Sequence, residues 1–392
     1  MPIRRSFALA ASAALAVTAV GATAGTAAAA PTAGSPLASY IVTLAPGNVP
    51  SQVAGLAAAR LGGRVGHVYS SALNGFSVKV PGALVDRLST LPGVVAVEKD
   101  QPVEAAGLES PTPSWGLDRI DAGTGATVTL DSSYHYTATG AGVTAYIIDT
   151  GIQLTNGDFT GRVTTGEDEI DGGPADDCNG HGTHVAGTVG GTTYGVAKQV
   201  NLVAVRVLDC SGSGSTSGVI AGVDWVTNNH TGPSVANMSL GGSASSALDT
   251  AVANSISSGV TYSVAAGNGN QAGVPQDACK SSPARVPAAL TVGATDTKDQ
   301  ATSWSNYGSC VDLFAPGLNI VSDWYNAPSN TISGTSMATP HVTGVAALYL
   351  QGHAGESADQ VSNAIKSTAT AHIVKTSSRY KTANNDLLFT NY

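Results

Sequence analysis

Short apolar segments alternate with helix-compatible segments through the C-terminal part of the chain. Residues 143–148 are almost entirely apolar, which is typical of a strand covered on both faces. Similar strands are predicted at 202–208, 235–240, 260–266 and 290–292, with helices at 218–228, 247–257 and 336–350. Repeated strand–helix units predict an α/β fold, with a mostly parallel twisted sheet and helices on both faces.

A separate small unit is predicted between residues 39 and 104. Strands are predicted at 40–44, 65–69, 77–80 and 94–98, and helices at 53–61 and 83–91. This βαββαβ order is typical of a small α+β ferredoxin-like fold. A segment that contains Pro and Ser, 105–114, then links this unit to the larger one.

The N-terminus has the three parts of a secretory signal peptide. Arg4 and Arg5 supply the charge, residues 7–20 form an Ala-rich apolar stretch, and residues 27–29 provide a small-residue cleavage site. A membrane anchor is the alternative, but the apolar stretch is shorter than the roughly 20 residues that a bilayer requires. We therefore expect residues 1–29 to be a signal peptide and the protein to be secreted, without membrane association.

The composition argues against nucleic-acid binding. Charged residues make up only 11% of the 392-residue chain, and the net charge is −9. From Leu108 onward, 11 Lys and Arg residues are outnumbered by 23 Asp and Glu residues. Since surfaces that bind nucleic acids are positively charged, a nucleic-acid partner is not expected.

Three Gly-rich motifs carry an acid, a base and a nucleophile in that order. They are Asp-Thr-Gly at 149–151, His-Gly-Thr-His-Val-Ala-Gly at 181–187 and Gly-Thr-Ser-Met-Ala-Thr-Pro at 334–340. A serine hydroxyl is a poor nucleophile at neutral pH, so it needs an imidazole to take its proton and a carboxylate to orient that imidazole. Asp149, His181 and Ser336 are therefore predicted to form a catalytic triad.

These motifs resemble those of the subtilisin-like serine proteases, and most closely the proteinase K-like branch. The resemblance runs from about Trp115 to the C-terminus, and residues 39–104 resemble the family's inhibitory propeptide. It implies a signal peptide at 1–29, a propeptide at 30–107 and a subtilisin-like catalytic domain at 108–392. The propeptide would act as an intramolecular chaperone and inhibitor, and the precursor would cut itself near Leu108.

The resemblance also implies residues that bind the substrate. Asn268 follows an apolar strand and corresponds to the family's oxyanion-hole amide, which acts with the Ser336 N–H. Small-residue segments correspond to the two substrate strands and to the walls of the pocket for P1, the residue before the cut bond. No charged residue lies in these segments, so a broad-specificity endopeptidase that accepts apolar or aromatic P1 side chains is expected. The segments contain Gly212, Ser213, Gly214, Ser239, Leu240, Gly241, Ala265, Ala266 and Gly267.

The cysteine content predicts disulfides. Four cysteines lie in the part predicted to be mature, and an even number in an exported protein favours two disulfides, with three possible connectivities. A four-cysteine zinc site is the alternative, but it lacks a C-x-x-C pair. The resemblance implies the pairs Cys178–Cys210 and Cys279–Cys310.

A structural calcium ion is implied at one position, and no organic cofactor is expected. Asp312 corresponds to the aspartate of a family calcium site, with the carbonyl groups of Pro287 and Ala289 as its partners. A surface aspartate in a salt bridge or turn is the alternative. The acidic stretch 167–177 is typical of a solvated loop, with cation binding or a preference for basic substrates as alternatives.

Two other functions remain open from the residues. His181 and His184 have an H-x-x-H spacing, so a metal-dependent hydrolase that also uses Asp149 is one alternative, although no carboxylate stands where H-E-x-x-H proteases have their base. A catalytically silent binding protein on a protease scaffold is the other, and the four filled catalytic positions argue against it. The favoured function is a monomeric serine endopeptidase that acts on proteins and peptides.

Overall fold

The computed structural model describes residues 36–105, 108–109, 114–122, 130 and 132–392. The predicted signal peptide, 1–29, lies outside the described residues. None of the described helices is both long and apolar enough to cross a membrane.

The N-terminal subdomain is a four-stranded antiparallel sheet with two helices: β1 (Leu37–Leu44), α1 (Pro50–Leu61), β2 (Arg64–Tyr69), β3 (Gly75–Pro81), α2 (Val85–Leu88) and β4 (Val94–Lys99). The strands lie in the order β2-β3-β1-β4, as in the predicted ferredoxin-like fold. Val53, Ala54 and Ala57 of α1 are buried in one cluster with Phe76 of β3, so the helix covers one face of this sheet.

Helix α2 is shorter than the sequence pattern predicts. The pattern predicts a helix over 83–91, but α2 covers only Val85–Leu88 and follows a 3₁₀ turn at Gly82–Leu84. Pro92 disfavours a helical conformation in the residue before it, and Gly93, with a φ of +75°, turns the chain toward β4. The prediction was therefore too long.

The rest of the chain contains β5 and then the elements of the predicted catalytic domain, 108–392, which is called the catalytic part below. Short 3₁₀ turns lie at Gly157–Phe159 and Ala278–Lys280. The strands and helices are β5 (Pro102–Ala105), β6 (Leu108–Glu109), α3 (Gly116–Asp121), β7 (Thr144–Asp149), β8 (Val163–Asp168), α4 (His181–Gly190), β9 (Asn201–Arg206), β10 (Ser213–Ser215), α5 (Thr216–Asn229), β11 (Ser234–Met238), β12 (Leu240–Ser243), α6 (Ser246–Ser257), β13 (Val260–Ala265), β14 (Ser281–Ser282), β15 (Leu290–Thr295), β16 (Leu313–Pro316), β17 (Ile320–Ser322), β18 (Asn330–Ser333), α7 (Thr335–Gly352) and α8 (Ala358–Thr368).

The central sheet has seven strands among the described residues, in the order β16-β15-β13-β11-β7-β9-β8. Every neighbouring pair is parallel, which confirms the predicted α/β fold. The order reverses at β7, since β8 and β9 lie on one side of it and β11 on the other. In α/β sheets, ligands bind beyond the carboxyl ends of the strands at such a reversal, which is where Asp149 ends β7.

Helices cover both faces of the central sheet. Along β7, Ala145 and Ile147 are buried in one cluster with residues of α4 and α7, while Tyr146 and Ile148 are buried in another with residues of α5 and α6. Successive residues of a strand point to opposite faces. Both sets of β7 side chains are therefore covered, which explains why residues 143–148 are apolar without alternation.

The N-terminal subdomain and the catalytic part are joined through a second, smaller sheet. Strand β5, which the sequence assigns to the propeptide and its linker, lies between β10 and β12 and pairs antiparallel with both. Strand β6 pairs antiparallel with β18, opposite Ile332 and Ser333. Residues Pro36 to Tyr392 accordingly form one compact unit.

Carboxylates of the N-terminal subdomain add to this contact. Glu98 accepts hydrogen bonds at the start of α6, from the Ser246 hydroxyl at 3.1 Å and the Ala247 N–H at 3.3 Å. Asp100 accepts from the Ser217 N–H at the start of α5, at 2.8 Å. The N-terminus of a helix stabilises negative charge, so both carboxylates bind where the helix dipoles favour them.

Two carboxylates face each other between α4 and the loop after β17. Asp323 is only 3% exposed, and its Oδ2 has no hydrogen-bond partner among the described residues. A Cβ atom added to Gly191 would lie 2.6 Å from Asp158 Oδ2 and 2.8 Å from Asp323 Oδ2, so the two oxygens lie close together. Burial, reinforced by the negative charge of Asp158, raises the pKa of Asp323 to about 8.

Ionisation of Asp323 should destabilise the fold at alkaline pH. The pKa of Asp323 in the folded state lies above the ordinary value of about 4. Between these two pKa values the folded state binds more protons than the unfolded state. The free energy of unfolding therefore falls as the pH rises through this range. We expect Asp323→Asn to raise Tm at about pH 9 and to leave it nearly unchanged at about pH 4. Thermal unfolding of the full chain measures both values. Asp359→Asn, at an exposed position, is the control, and an equal shift in Tm at both pH values for Asp323→Asn would contradict the prediction.

Candidate active site

The predicted acid and base meet at the carboxyl edge of the sheet. Asp149 is the last residue of β7 and His181 is the first residue of α4, and both are buried. His181 Nδ1 lies 2.7 Å from Asp149 Oδ1. Because an ionised carboxylate only accepts hydrogen bonds, this contact puts the imidazole proton on Nδ1 and leaves Nε2 to accept a proton.

A buried carboxylate that the sequence analysis missed fixes the start of α4. Asp177 accepts from the N–H groups of Gly180 and Thr183, both at 2.9 Å, and from the Thr183 hydroxyl at 2.6 Å. It also accepts from the Thr150 hydroxyl at 3.0 Å, next to Asp149. Burial raises the pKa of Asp177, while these hydrogen bonds oppose that effect. Asp177 therefore links the end of β7 to the start of α4.

The acidic stretch 167–177 is not simply a solvated loop, so that prediction was wrong for two of its members. Asp168 is buried and forms an ion pair with Arg206, Nη1 to Oδ2 at 2.9 Å. Asp177 is buried below the catalytic helix. The signal that could have revealed Asp177 is its position four residues before the His-Gly-Thr-His motif, because a carboxylate just before a helix can bind the free N–H groups at its start.

The residue before His181 must be a glycine. Gly180 has a φ of +110°, a conformation that residues with a side chain rarely adopt. A Cβ atom at this position would lie 2.5 Å from the Trp324 ring. The indole therefore packs directly on the backbone next to the base.

The predicted nucleophile is the second residue of α7, which packs against α4. The Ser336 hydroxyl donates to the Ser239 carbonyl at 3.1 Å, and the Ser239 hydroxyl donates to the Ser336 carbonyl at 2.7 Å. Pro340 follows four residues after Ser336 and has no N–H to donate to that carbonyl. Pro340 lies in the second turn of α7, where a missing N–H leaves a helical carbonyl without its usual partner. The Ser239 hydroxyl supplies the missing hydrogen bond.

The Asn268 amide is held in one orientation. Its Oδ1 accepts from the Thr335 N–H at 2.8 Å and the Thr335 hydroxyl at 2.9 Å. Since the oxygen is engaged, the NH₂ group is the part of the amide that remains to donate toward the pocket beside Ser336.

A pocket of about 440 Å³ opens beside Ser336. Its lining includes most of the predicted P1 walls. A further side of the pocket was not predicted from the sequence. Lys280 and Ser281 lie there because β14 pairs with β12, and Gln276 lies there with its N–H bonded to the Asn306 side chain at 2.7 Å. The predicted wall residues in the lining are Leu240, Gly241, Ala265, Ala266 and Gly267.

The other predicted substrate residues divide between strand and turn. Ser213 and Gly214 belong to β10, and both are paired with β5. Gly212 lies in the turn before β10, with a φ of +78° and its N–H donating to the Asp209 carbonyl at 2.9 Å. Ser215 is the third residue of this ladder, and substrate binding by Gly212, Ser213 and Gly214 stays a prediction.

His184 has a structural environment. Its Nε2 lies 2.9 Å from the Ile320 carbonyl oxygen, and burial lowers its pKa to about 3, so it stays neutral. In the part of the chain that the structure describes, no group of three or more His, Cys, Asp or Glu side chains is arranged to hold a metal ion. The H-x-x-H spacing therefore has no matching ligand set there.

The cysteines are joined in the pairs that the resemblance implies. Cys178 is bonded to Cys210, and Cys279 to Cys310. This pairing leaves no thiol among them for the alternative zinc site.

The predicted calcium ligand has a competing cation. Asp312 Oδ2 accepts from the Thr291 N–H at 2.9 Å, and Lys366 Nζ lies 3.7 Å from Asp312 Oδ1. A calcium ion held by Asp312 and the carbonyl groups of Pro287 and Ala289 would have to displace this ammonium group. Calcium binding at this position stays a prediction.

The chain belongs to the subtilase family. The family model described as "Subtilase family" matches residues 140–388, and the model described as "Peptidase inhibitor I9" matches residues 39–106. Together they cover the catalytic part and the N-terminal subdomain. The chain is therefore a serine endopeptidase with an inhibitor-type propeptide.

Individual relatives agree with this family. An "Extracellular serine proteinase" from Thermus sp. (strain Rt41A) is 59% identical over 332 residues, which cover 84% of this chain and 78% of that protein. "Alkaline serine exoprotease A" from Vibrio alginolyticus is 52% identical over 312 residues, 78% of this chain and 57% of that protein. The solved structure titled "Crystal structure of a cold adapted subtilisin-like serine proteinase" matches with a TM-score of 0.66 and 56% identity, over 71% of this chain and 98% of that one.

The contact between Asp149 and His181 gives a direct test of their roles. We expect Asp149→Asn to preserve the fold but to lower kcat by about 10³- to 10⁴-fold, because an amide can hold the imidazole in the wrong tautomer. Hydrolysis of a peptide p-nitroanilide and a thermal unfolding curve measure the two effects. Asp176→Asn, at an exposed position in the nearby loop, is the matched control and should stay within about twofold of wild type. Near-normal turnover by Asp149→Asn would remove Asp149 from the mechanism.

Proposed function

We propose that this chain is the precursor of a secreted, broad-specificity endopeptidase that removes its own propeptide. The observation that carries the proposal is the position of β5, which pairs with both β10 and β12. Extended peptides bind by adding a strand to exposed sheet edges. The C-terminal end of the propeptide therefore lies where a peptide substrate would bind.

The proposed reaction is acyl transfer through a covalent intermediate. Ser336 attacks the peptide carbonyl while His181 takes the hydroxyl proton at Nε2 and later gives it to the leaving amine. Asp149 orients the imidazole and stabilises its charged form. The Asn268 amide and the Ser336 N–H donate to the oxyanion. Water that is activated by His181 then hydrolyses the acyl-enzyme.

The strand register limits where the propeptide would be cut. Leu240 lies opposite Ala105 in one ladder, and Ser333 lies opposite Leu108 in the other. The second ladder lies close to the nucleophile, since Ser333 is three residues before Ser336. We infer that the bond that is cut lies between Ala105 and Leu108, close to the mature terminus that the resemblance implies.

Broad specificity is supported by the way the cleft would hold a substrate. The ladders with β10 and β12 use backbone groups, which every peptide offers. The pocket beside Ser336 is large, at about 440 Å³, and most of its predicted walls are Gly and Ala. Neither the backbone pairing nor the size of the pocket favours one large P1 side chain over another. Secretion is supported by the predicted signal peptide and by a relative named as an extracellular serine proteinase.

Self-cleavage can be tested on the full chain with Ser336→Ala. We expect the refolded wild-type precursor to yield two fragments, cut between Ala105 and Leu108, and the variant to stay whole, because it lacks the attacking hydroxyl. Intact-mass measurement after purification without other proteases reports both. Ser378→Ala, at an exposed position outside the contact between the propeptide and the catalytic part, is the control and should still be cut. Equal cleavage of wild type and Ser336→Ala would show that Ser336 is not the nucleophile.

The contact of the propeptide with the catalytic part should depend on pH. His67 Nδ1 lies 3.1 Å from Glu169 Oε2, and this hydrogen bond, reinforced by the nearby carboxylates of Asp100 and Glu167, raises the pKa of His67. The stabilisation is therefore complete below the ordinary pKa of His67, near 6.5, and is lost as the pH rises through the raised value. We expect the cleaved propeptide to leave faster at about pH 8.5 than at about pH 5.5.

Variants of His67 separate this effect from the pH dependence of catalysis. The delay before peptide-hydrolysing activity appears is compared between variant and wild type at each pH. At about pH 5.5, His67→Gln should shorten the delay by roughly two- to fivefold, as expected for a partly exposed ion pair, and at about pH 8.5 it should have little effect. His67→Lys should restore the long delay at both pH values. If the delay in His67→Gln, divided by the delay in wild type, is the same at both pH values, the prediction is contradicted.

A further inference from the structure

One cationic side chain lines the pocket beside Ser336. Lys280 is exposed, and its ammonium group makes no ion pair or hydrogen bond within the described part of the chain. The pocket lining contains no carboxylate, and the nearby Gln276 amide donates to the carbonyl groups of Val274, at 2.8 Å, and Pro275, at 3.1 Å. The charge of Lys280 is thus the one net charge in this lining.

The backbone that carries Lys280 is held from several sides. Lys280 ends the 3₁₀ turn Ala278–Lys280, whose first residue follows Asp277, and the Asp277 side chain accepts from the Cys279 N–H at 3.0 Å. The disulfide from Cys279 to Cys310 anchors the same turn. On the other side, Ser281 is paired with Ser243 at the end of β12. The Cα of Lys280 is therefore fixed beside the pocket wall, and only its long side chain is free to move.

We infer that Lys280 makes this pocket favour acidic over basic P1 side chains. The inference rests on the proposed peptidase function and refines its specificity. A carboxylate at P1 would enter a pocket whose lining carries a single positive charge and no negative one, so the two groups attract, while a basic P1 side chain would be repelled. The segments predicted as the P1 walls carry no charge, and Lys280 lies outside them, so it adds a charge that they lack.

Apolar P1 side chains remain compatible with this arrangement. A lysine side chain can lay its methylene groups along an apolar surface while its ammonium group stays in water. An aromatic P1 side chain would therefore contact the stem of Lys280 without desolvating its charge. Lys280 therefore changes the preference between acidic and basic P1 residues, and apolar P1 residues are still accepted.

The test uses four tetrapeptide p-nitroanilides that differ only at P1, with Glu, Gln, Lys or Phe. Glu and Gln have the same shape, so the ratio of their kcat/KM values isolates the charge. We expect Lys280→Met to lower the Glu-to-Gln ratio by roughly two- to fivefold, the range for a solvated ion pair, and to raise the Lys-to-Gln ratio. Lys280→Glu should shift both ratios further in the same directions. Activity on the Phe substrate should change little in either variant.

Two controls keep the result specific. Lys298→Met removes an exposed lysine outside the pocket lining and should leave every ratio unchanged. For the wild-type enzyme, the Glu-to-Gln ratio should fall as the salt concentration rises from about 0.05 to about 0.5 M, because salt screens exposed charges. This second measurement needs no variant, so it tests the inference even if a substitution at Lys280 impairs folding.

The outcomes distinguish this inference from the proposed function. The role of Lys280 would be overturned if the enzyme cleaves the Phe substrate but its Glu-to-Gln ratio of kcat/KM does not change in Lys280→Met or does not respond to salt. The peptidase function would still stand. Failure of the wild-type enzyme to cleave any of the four substrates after propeptide removal would instead overturn the proposed function.

Discussion

The hydrogen bond between Asp149 and His181 depends on how helix α4 begins. The buried carboxylate of Asp177 accepts from backbone N–H groups at the start of this helix and from Thr150, which is next to Asp149 in the chain. The base is therefore positioned by a residue that does not touch it. Geometry of this kind has to be accurate to a fraction of an ångström, because proton transfer requires hydrogen-bond distance, and a network with satisfied partners provides that accuracy.

The nucleophile is positioned in a similar way, by groups outside its own helix. The two hydrogen bonds between Ser336 and Ser239 tie the start of α7 to the segment that leads into β12, and the one donated by the Ser239 hydroxyl replaces the bond that Pro340 cannot make. Thr335, the first residue of α7, orients the Asn268 amide. The start of one helix therefore holds the proposed nucleophile, orients the proposed oxyanion donor and borders the pocket beside them. A change in any of these contacts is expected to affect all three functions.

Much of the fold and the contact between Asp149 and His181 could be predicted because their signals are local. The apolar run of β7 identifies a strand buried on both faces, and the motifs around Asp149, His181 and Ser336 lie in short Gly-rich frames. Strand β5 could not be predicted, since its pairing partners are more than a hundred residues away and its own four residues have no distinctive pattern. The same reason applies to Lys280, which is held beside the pocket by the pairing of β14 with β12 and by the disulfide from Cys279 to Cys310. Residue type alone also misjudged Asp177, because an acidic stretch gives no indication of which member is buried.

The position of β5 implies that cleavage of the propeptide and its dissociation are two distinct steps. A cut between Ala105 and Leu108 would end the covalent link to the catalytic part, but it would leave the ladders of β5 with β10 and β12 unchanged. It would also leave the contacts outside the cleft, where Glu98 and Asp100 bind the starts of α6 and α5. The cleaved propeptide would then remain bound as an inhibitor, because most of its contacts do not involve the bond that is broken. Release must therefore depend on the stability of this interface, and a titrating pair such as His67 and Glu169 would act on that step and not on the chemistry.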